Sequence, residues 1–181
     1  MPFDFEHFEV PGPVLIRPRI FPDPRGYFLE TYKKSDFAAN GIDCDFVQDN
    51  HSRSQRNVLR GLHYQLPPAE QGKLVKVVRG RAWDVAVDIR RDSPYFLRWV
   101  GVELDEESHN MFYVPPGFAH GFVSLSDDVH LLYKCTSEYS PAHERGICWN
   151  DGEIDIEWPI DEPLVSDRDA QLPLLKDAAI F

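Results

Sequence analysis

Residues 83–89 read Trp-Asp-Val-Ala-Val-Asp-Ile, so large apolar side chains alternate with small or acidic ones. Successive side chains of a β-strand point to opposite faces, and a two-residue period is therefore typical of a half-buried strand in an antiparallel sheet. Residues 100–104, which read Val-Gly-Val-Glu-Leu, have the same period. These two segments predict a protein built from β-sheets.

Seven further segments have the composition of short strands and are separated by turns rich in Pro, Gly and Asp. They cover residues 14–21, 27–32, 58–64, 74–78, 111–114, 120–125 and 129–135. About nine strands at this spacing predict an all-β antiparallel sandwich, barrel or jelly roll. Helices are expected only at residues 33–40 and 166–175. The chain has 181 residues, which predicts a single domain over residues 1–181.

The chain is acidic overall but contains one basic segment. It has 19 Lys and Arg against 30 Asp and Glu, a formal net charge of −11, which disfavours nucleic acid and anionic membranes as partners. Residues 51–81 contain seven basic residues and a single acid, Glu70. This basic segment predicts a pocket for a small anion, and the alternative is a solvent-exposed strand edge that carries Lys and Arg.

The cysteines and the apolar segments indicate the compartment. Cys44, Cys135 and Cys148 are odd in number and form no Cys-x-x-Cys pair, so neither a disulfide framework nor a structural zinc site is expected. The first ten residues do not follow the pattern of a signal peptide. Residues 111–126 lack Asp, Glu, Lys and Arg, but prolines interrupt them at 115 and 116. We therefore expect a cytoplasmic protein with no membrane partner.

Residues 60–65, Arg-Gly-Leu-His-Tyr-Gln, form the densest polar and aromatic cluster. In a regular strand, His63 and Gln65 share the face of Gly61, whereas Arg60 and Tyr64 point to the opposite face. His63 is a candidate general base, although a lone histidine in a strand is more often structural.

Three other residues could carry chemistry. Lys73 lies in the alternating run Lys-Leu-Val-Lys, which usually marks a solvent face. His120 follows a Pro-Pro-Gly turn into an apolar strand, where a histidine needs a polar partner. Tyr133 lies in an apolar strand and is either a proton donor or a core tyrosine bonded to the backbone.

Seven motifs occur in order along nearly the whole chain. They are residues 23–30 (Asp-Pro-Arg-Gly-Tyr-Phe-Leu-Glu), 48–52 (Gln-Asp-Asn-His-Ser), 60–65, 115–122, Tyr133, 139–146 and 166–169. Together they resemble the dTDP-4-dehydrorhamnose 3,5-epimerase family. The resemblance implies a cupin-type jelly roll, a homodimer, no metal or other cofactor, and epimerisation of dTDP-4-dehydro-6-deoxy-glucose to dTDP-4-dehydrorhamnose.

The same resemblance implies a role for each matching residue. His63 matches the general base, Asp169 the carboxylate that orients it, Tyr133 the opposing proton donor, and Lys73 the group that stabilises the enolate oxygen. The positions that match the substrate-binding residues are Arg25, Glu30, Gln48, Asn50, Arg60, His120, Glu144 and Arg168. Arg168 stands where lysine is common in the family.

Three alternatives remain open. A metal-dependent cupin is one, since residues 115–120 also resemble the second metal motif of that superfamily. His63-Tyr64-Gln65, however, lacks the ligands of the first motif. A non-enzymatic module that binds nucleotide sugars is the second. The third is a related 3- or 5-epimerase that acts on another dTDP-4-keto sugar.

Overall fold

Two antiparallel β-sheets face each other across an apolar core in the computed structural model, which describes residues 2–181. The strands of the first sheet are β1 (Phe3–His7), β2 (Val14–Pro18), β5 (Gln48–Ser54), β7 (Lys73–Arg79), β10 (Met111–Val114) and β12 (Val129–Cys135). Their order across the sheet is β1-β2-β10-β7-β12-β5.

The strands of the second sheet are β6 (Val58–Gln65), β8 (Arg81–Asp88), β9 (Trp99–Asp105), β11 (Phe118–Ser124), β13 (Glu144–Gly146) and β14 (Leu164–Val165). Their order is β13-β6-β11-β8-β9, and β14 pairs with β6 in parallel. A separate hairpin joins β3 (Phe21–Asp23) to β4 (Gly26–Phe28). The helical segments are α1 (Lys34–Ala38), α2 (Asp167–Ala170) and a 3₁₀ turn at Leu175–Asp177.

The core between the sheets is filled by alternate side chains of both. Val75 and Leu131 of the first sheet pack in one cluster with Ala86 and Phe122 of the second. This arrangement confirms the predicted all-β antiparallel jelly roll. No helix within the described range is long and apolar enough to cross a membrane.

All nine predicted strands lie close to observed ones, but several short elements were missed. β5 contains only polar residues, which alternate between partly buried and exposed. It pairs with β12 at the edge of the first sheet. β1, β13 and β14 were also not predicted. The segment predicted at 14–21 is divided into β2 and β3, and the two predicted helices are shorter than expected.

The prediction of a half-buried strand was wrong for β8. Asp84 and Asp88 are fully buried on one face, while Val85 and Val87 are fully buried on the other. The outer face is covered by the C-terminal segment, in which Leu175 and Ala178 belong to the same apolar cluster as the two valines. The acidic side chains of β8 therefore point into the interior and not into solvent.

The backbones of β6 and β11 come close together at Gly61. Gly61 has a φ of 135°, and a Cβ atom placed on it would lie 2.6 Å from the Cα of Gly121. The pairing between the strands also shifts here by one residue, since His63 is opposite His120 but Arg60 is opposite Phe122. Only glycine fits both this conformation and this contact.

We expect Gly61→Ala to destabilise the fold more than Gly26→Ala, its matched control. Gly26 has the same φ of 135°, but no atom lies within 4 Å of the position that a Cβ would take, so it reports the backbone cost alone, about 1–3 kcal/mol. Gly61→Ala adds a steric cost of about 1–3 kcal/mol. Urea denaturation of both variants measures the difference, and equal losses would show that the close contact is unimportant.

Candidate active site

Two cavities between the sheets share His63, Lys73 and Tyr133 among their lining residues and have volumes of about 150 and about 310 Å³. We call them together the inter-sheet site. His63 comes from β6 of the second sheet, whereas Lys73 and Tyr133 come from β7 and β12 of the first. The site therefore presents a histidine on one wall and a lysine and a tyrosine on the other.

His63 forms a dyad with Asp169. The Nε2 atom of His63 lies 2.8 Å from Oδ1 of Asp169, and the backbone N–H of Gly61 donates to the other carboxylate oxygen at 3.2 Å. Burial raises the pKa of Asp169, but His63, the Gly61 N–H and the charge of Arg168 together outweigh it, and the pKa is lowered overall. An ionised Asp169 that accepts from Nε2–H leaves Nδ1 of a neutral His63 as the basic nitrogen.

The chain segment after β14 places Asp169. β14 runs parallel to the start of β6, with Val165 opposite Leu59, and Ser166 then caps α2 by accepting a hydrogen bond from the Asp169 N–H. Asp169 is thereby held beside β6 although it lies more than a hundred residues away in sequence.

The first sheet contributes two groups with altered acidity. Burial lowers the pKa of Lys73, while the negative charges of Cys135, when ionised, and of the Asp84 and Glu144 carboxylates oppose that change. Burial raises the pKa of Tyr133, which keeps its hydroxyl protonated. A protonated phenol is suited to proton donation, and a buried amino group that keeps its proton is suited to stabilising an oxyanion.

A second histidine–carboxylate pair lies deeper. Nε2 of His120 is 2.8 Å from Oδ1 of Asp84, and both residues are buried. Burial lowers the pKa of His120, and Asp84 opposes this effect. His120 lines the larger cavity together with Lys73 and His63.

Polar side chains form the rim of the site. Tyr139 donates its hydroxyl to Glu144 at 2.6 Å, and Arg168 forms an ion pair with the same carboxylate. Across the site, Gln48 donates to Asn50 at 3.0 Å. Hydrogen bonds therefore connect the loop after β12 with α2, and the site is framed from both sides.

Ten of the twelve predicted site residues line the inter-sheet site. They are Gln48, Asn50, Arg60, His63, Lys73, His120, Tyr133, Glu144, Arg168 and Asp169. Arg25 and Glu30 lie outside it. Arg25 is 89% exposed and pairs with Asp23, and Glu30 lines a separate cavity with Phe21 and Phe28.

Arg60 and His63 line the same cavity, so the expectation that they point to opposite faces was wrong. The reason is the one-residue shift in pairing between β6 and β11 at Gly61. Such a shift reverses the relation between sequence parity and sheet face.

Most of the basic segment does not belong to the site. Arg53 and Arg79 pair with Asp128, Arg56 pairs with Asp127, and Arg81 pairs with Glu103. These four arginines are exposed and ion-paired, but only Arg53 lies on an edge strand, β5. Of the seven basic residues of this segment, only Arg60 and Lys73 are among the described residues that line the inter-sheet site.

Sequence reasoning did not single out Asp84, Gln65 or Tyr139. Asp84 was interpreted as part of a solvent face, and its position between two small residues, Ala82 and Ala86, was the only signal. Gln65 is buried and donates to the carbonyls of Ala69 and Glu138, so it holds two loops at the rim. Tyr139 lies in a quoted motif, but the sequence alone gave it no role.

The described residues contain no group of three or more His, Cys, Asp or Glu side chains that could hold a metal ion. The side-chain amide of Gln65, two residues after His63, is hydrogen-bonded to backbone groups of the rim. A further cavity of about 200 Å³ on the first sheet is lined by Asn50 and Tyr133 of the inter-sheet site, but not by His63 or Asp169.

Comparisons with known proteins cover almost the whole chain. The family described as dTDP-4-dehydrorhamnose 3,5-epimerase matches residues 7–177. A protein of that name from Pseudomonas aeruginosa is 51% identical over 174 residues, covering 95% of this chain and 96% of its own. The crystal structure of dTDP-4-dehydrorhamnose 3,5-epimerase from Sulfolobus tokodaii has a TM-score of 0.93 and 49% identity, and covers 100% of this chain and 99% of its own.

Two further solved structures contain sugar nucleotides. A dTDP-6-deoxy-D-glucose-3,5-epimerase from Legionella pneumophila, in complex with dTDP-4-keto-L-rhamnose, has a TM-score of 0.92 and 44% identity over 96% of this chain and 93% of its own. A 3'-monoepimerase from Streptomyces bikiniensis, in complex with dTDP-quinovose, has a TM-score of 0.87 and 38% identity over 94% of this chain and 87% of its own.

Proposed function

The chain belongs to the dTDP-4-dehydrorhamnose 3,5-epimerase family, and on that premise we propose that it inverts carbons 3 and 5 of dTDP-4-dehydro-6-deoxy-D-glucose to give dTDP-4-dehydro-L-rhamnose. It is an isomerase of the carbohydrate-epimerase class. One observation carries the assignment of roles: His63, which pairs with Asp169, and Tyr133 line the same two cavities from opposite sheets.

The substrate's ketone at carbon 4 makes the hydrogens on carbons 3 and 5 acidic. His63 removes one of these protons through its free nitrogen, and the electron pair moves into an enolate whose negative charge lies on the carbon-4 oxygen. Asp169 keeps the imidazole in the required tautomer and stabilises the imidazolium that forms. The same deprotonation and reprotonation at the other carbon complete the reaction.

Lys73 and Tyr133 complete the chemistry from the first sheet. The ammonium group of Lys73 stabilises the enolate oxygen. Tyr133 donates a proton to the carbon that His63 has deprotonated, from the opposite face of the ring, and the configuration at that carbon is thereby inverted. His63 then returns its proton to solvent, and Tyr133 recovers one from solvent.

The diphosphate is assigned to Arg60. Its guanidinium donates to the Ser54 hydroxyl and to the Arg53 carbonyl, and it forms no ion pair within residues 2–181. Arg168, by contrast, already pairs with Glu144. A guanidinium without a carboxylate partner is free to bind a phosphate with two parallel hydrogen bonds.

We propose that the protein acts as a homodimer. The β3–β4 hairpin is exposed over its whole length, with Tyr27 59% and Phe28 65% exposed. Exposed aromatic side chains on one projecting hairpin are typical of a contact surface. In a dimer of this kind, Arg25 and Glu30 would be available to the substrate site of the second copy.

A second candidate function is epimerisation at a single carbon. The relative from Streptomyces bikiniensis, whose structure is described as a 3'-monoepimerase, shares 38% of its sequence with this chain. The same base, acid and oxyanion-stabilising group would serve either reaction, since the chemistry at carbons 3 and 5 is alike.

Product analysis in D₂O tests the proposed function. Wild-type protein incubated with dTDP-4-dehydro-6-deoxy-D-glucose should give a product that is inverted and deuterated at carbons 3 and 5, as read by NMR, and His63→Ala should give none. Change at one carbon only would identify a monoepimerase. No deuterium at either carbon would identify a binding protein without this activity.

Tyr133→Phe should separate enolate formation from inversion. The variant keeps His63 and Lys73 but loses the opposing acid, so the enolate should be reprotonated mainly from the His63 side. We expect deuterium incorporation with retained configuration to be faster than epimer formation, with a loss of about 10²- to 10⁴-fold in inversion. Tyr95→Phe, which packs against the core outside the site, is the control. Undiminished inversion in Tyr133→Phe would remove Tyr133 from the mechanism.

Arg60→Ala should weaken dTDP binding. Loss of a charge-assisted hydrogen bond costs about 1.5–3 kcal/mol, which corresponds to about 10- to 100-fold in Kd. Arg56→Ala is the matched control, because Arg56 belongs to the same basic segment but pairs with Asp127 outside the site. Titration calorimetry measures both affinities, and equal affinity of wild type and Arg60→Ala would refute the phosphate assignment.

A further inference from the structure

Asp84 is the least exposed charged group near the inter-sheet site and has only half of its carboxylate satisfied. It lies on β8 and faces the interior between Ala82 and Ala86, with 0% exposure. Oδ1 bonds to His120 at 2.8 Å. Oδ2 is buried and has no hydrogen-bond partner among the described residues.

Such an arrangement is unfavourable for folding. A buried polar atom without a partner costs about 1–3 kcal/mol, and more where the group is charged. An apolar residue would suit this position in β8 better, because Ala82, Ala86 and Phe122 around it belong to the apolar core. A buried, half-satisfied carboxylate next to a cavity therefore points to a role in function.

Lys73 is the complementary group. It is 9% exposed and forms no ion pair within residues 2–181, although a buried ammonium needs a compensating charge. Lys73 and His120 line the same cavity, and His120 is held by Asp84. The unsatisfied carboxylate and the unpaired ammonium thus lie on the two sheets that enclose one site.

We infer that Asp84 is a positioning residue for the proposed epimerisation: it orients His120 and provides the buried negative charge that keeps Lys73 an ammonium ion in the site. The inference rests on the proposed function for the role of Lys73, but the charge state of Lys73 can be measured without turnover.

The expected pH dependence follows from the charges around Lys73. Burial lowers the pKa of Lys73, and Asp84 is one of three groups that oppose this effect, with Cys135 on β12 and Glu144 on β13. The imidazoles of His120 and His63 face the same cavity. Removal of the Asp84 charge should lower the pKa of Lys73 further, so that the ammonium is lost at lower pH.

The first experiment titrates Lys73 directly. The chain has six lysines, so NMR of protein with ¹³C-labelled lysine can resolve Lys73, with the assignment taken from Lys73→Met. Asp84→Asn keeps an oxygen that can accept from His120 but removes the charge, and its Lys73 transition should move to lower pH. Asp84→Glu should move it back towards wild type.

Ser124→Ala is the control, because Ser124 is also fully buried with an unpartnered oxygen, on the neighbouring strand β11 opposite Ala82. It should leave the Lys73 titration unchanged. An unchanged titration in Asp84→Asn would overturn the inference, whatever the outcome of the activity assay. Failure of the wild type to epimerise would reject the proposed function but leave this test of the Lys73 charge intact.

Kinetics provide the second test. At neutral pH, Asp84→Asn should lower kcat by on the order of 10- to 100-fold, the range found when a partner that orients a metal-bound histidine is removed, with a smaller effect on KM. In a Lys73→Met background, Asp84→Asn should lower kcat by a much smaller factor, because the ammonium group that Asp84 supports is absent. Equal losses in both backgrounds would show that Asp84 does not act through the charge of Lys73, which would overturn that part of the inference.

The double variant also covers a failure to fold. If Asp84→Asn alone is unfolded, the Asp84→Asn/Lys73→Met variant should fold, because it removes both buried charges together. Should the double variant be unfolded as well, Asp84 would be a structural residue and the inference would be wrong.

Discussion

The contact between the backbones of β6 and β11 at Gly61 and Gly121 is the constraint on which the site depends. It admits no side chain at Gly61 and coincides with the one-residue shift in strand pairing, which brings Arg60 and His63 to the same cavity. It also leaves the Gly61 N–H free to bind Asp169. One close approach of two strands therefore places the proposed anion-binding group, the proposed base and the carboxylate proposed to orient it.

The elements that sequence could predict are those in which burial and strand period agree. Alternating apolar residues predicted β9, whereas β5 contains no apolar residue and has β12 as its only partner strand among the described residues. The direction of Arg60 could not be predicted, because a glycine with positive φ changes sheet face without altering the sequence pattern. The neutralisation of the basic segment was equally hidden, since Asp127 and Asp128 lie far from it in sequence.

The candidate site was predicted in outline because its residues occur in motifs, but the environment of each residue was not. Lys73 was ambiguous in sequence, since lysines two or three residues apart usually face solvent, yet the structure buries it. Asp84 looked like the polar side of a half-buried strand, and the C-terminal segment that covers the other side of β8 reversed this interpretation. Packing of a segment that is distant in sequence decides which side chains of a strand are buried, and the local sequence pattern does not show it.

The division of the proposed base and acid between two sheets links catalysis to the packing of the core. His63 belongs to the second sheet and Tyr133 to the first, so the distance between them is fixed by the side chains that separate the sheets, such as Val75, Ala86 and Phe122. Close-packed interiors do not deform gradually, and small errors in placement are costly in catalysis. An apolar core that is rigid enough to hold this distance can also tolerate the unfavourable burial of Asp84 and Lys73, because the cost of a few buried polar groups is small against the hydrophobic stabilisation of the whole sandwich.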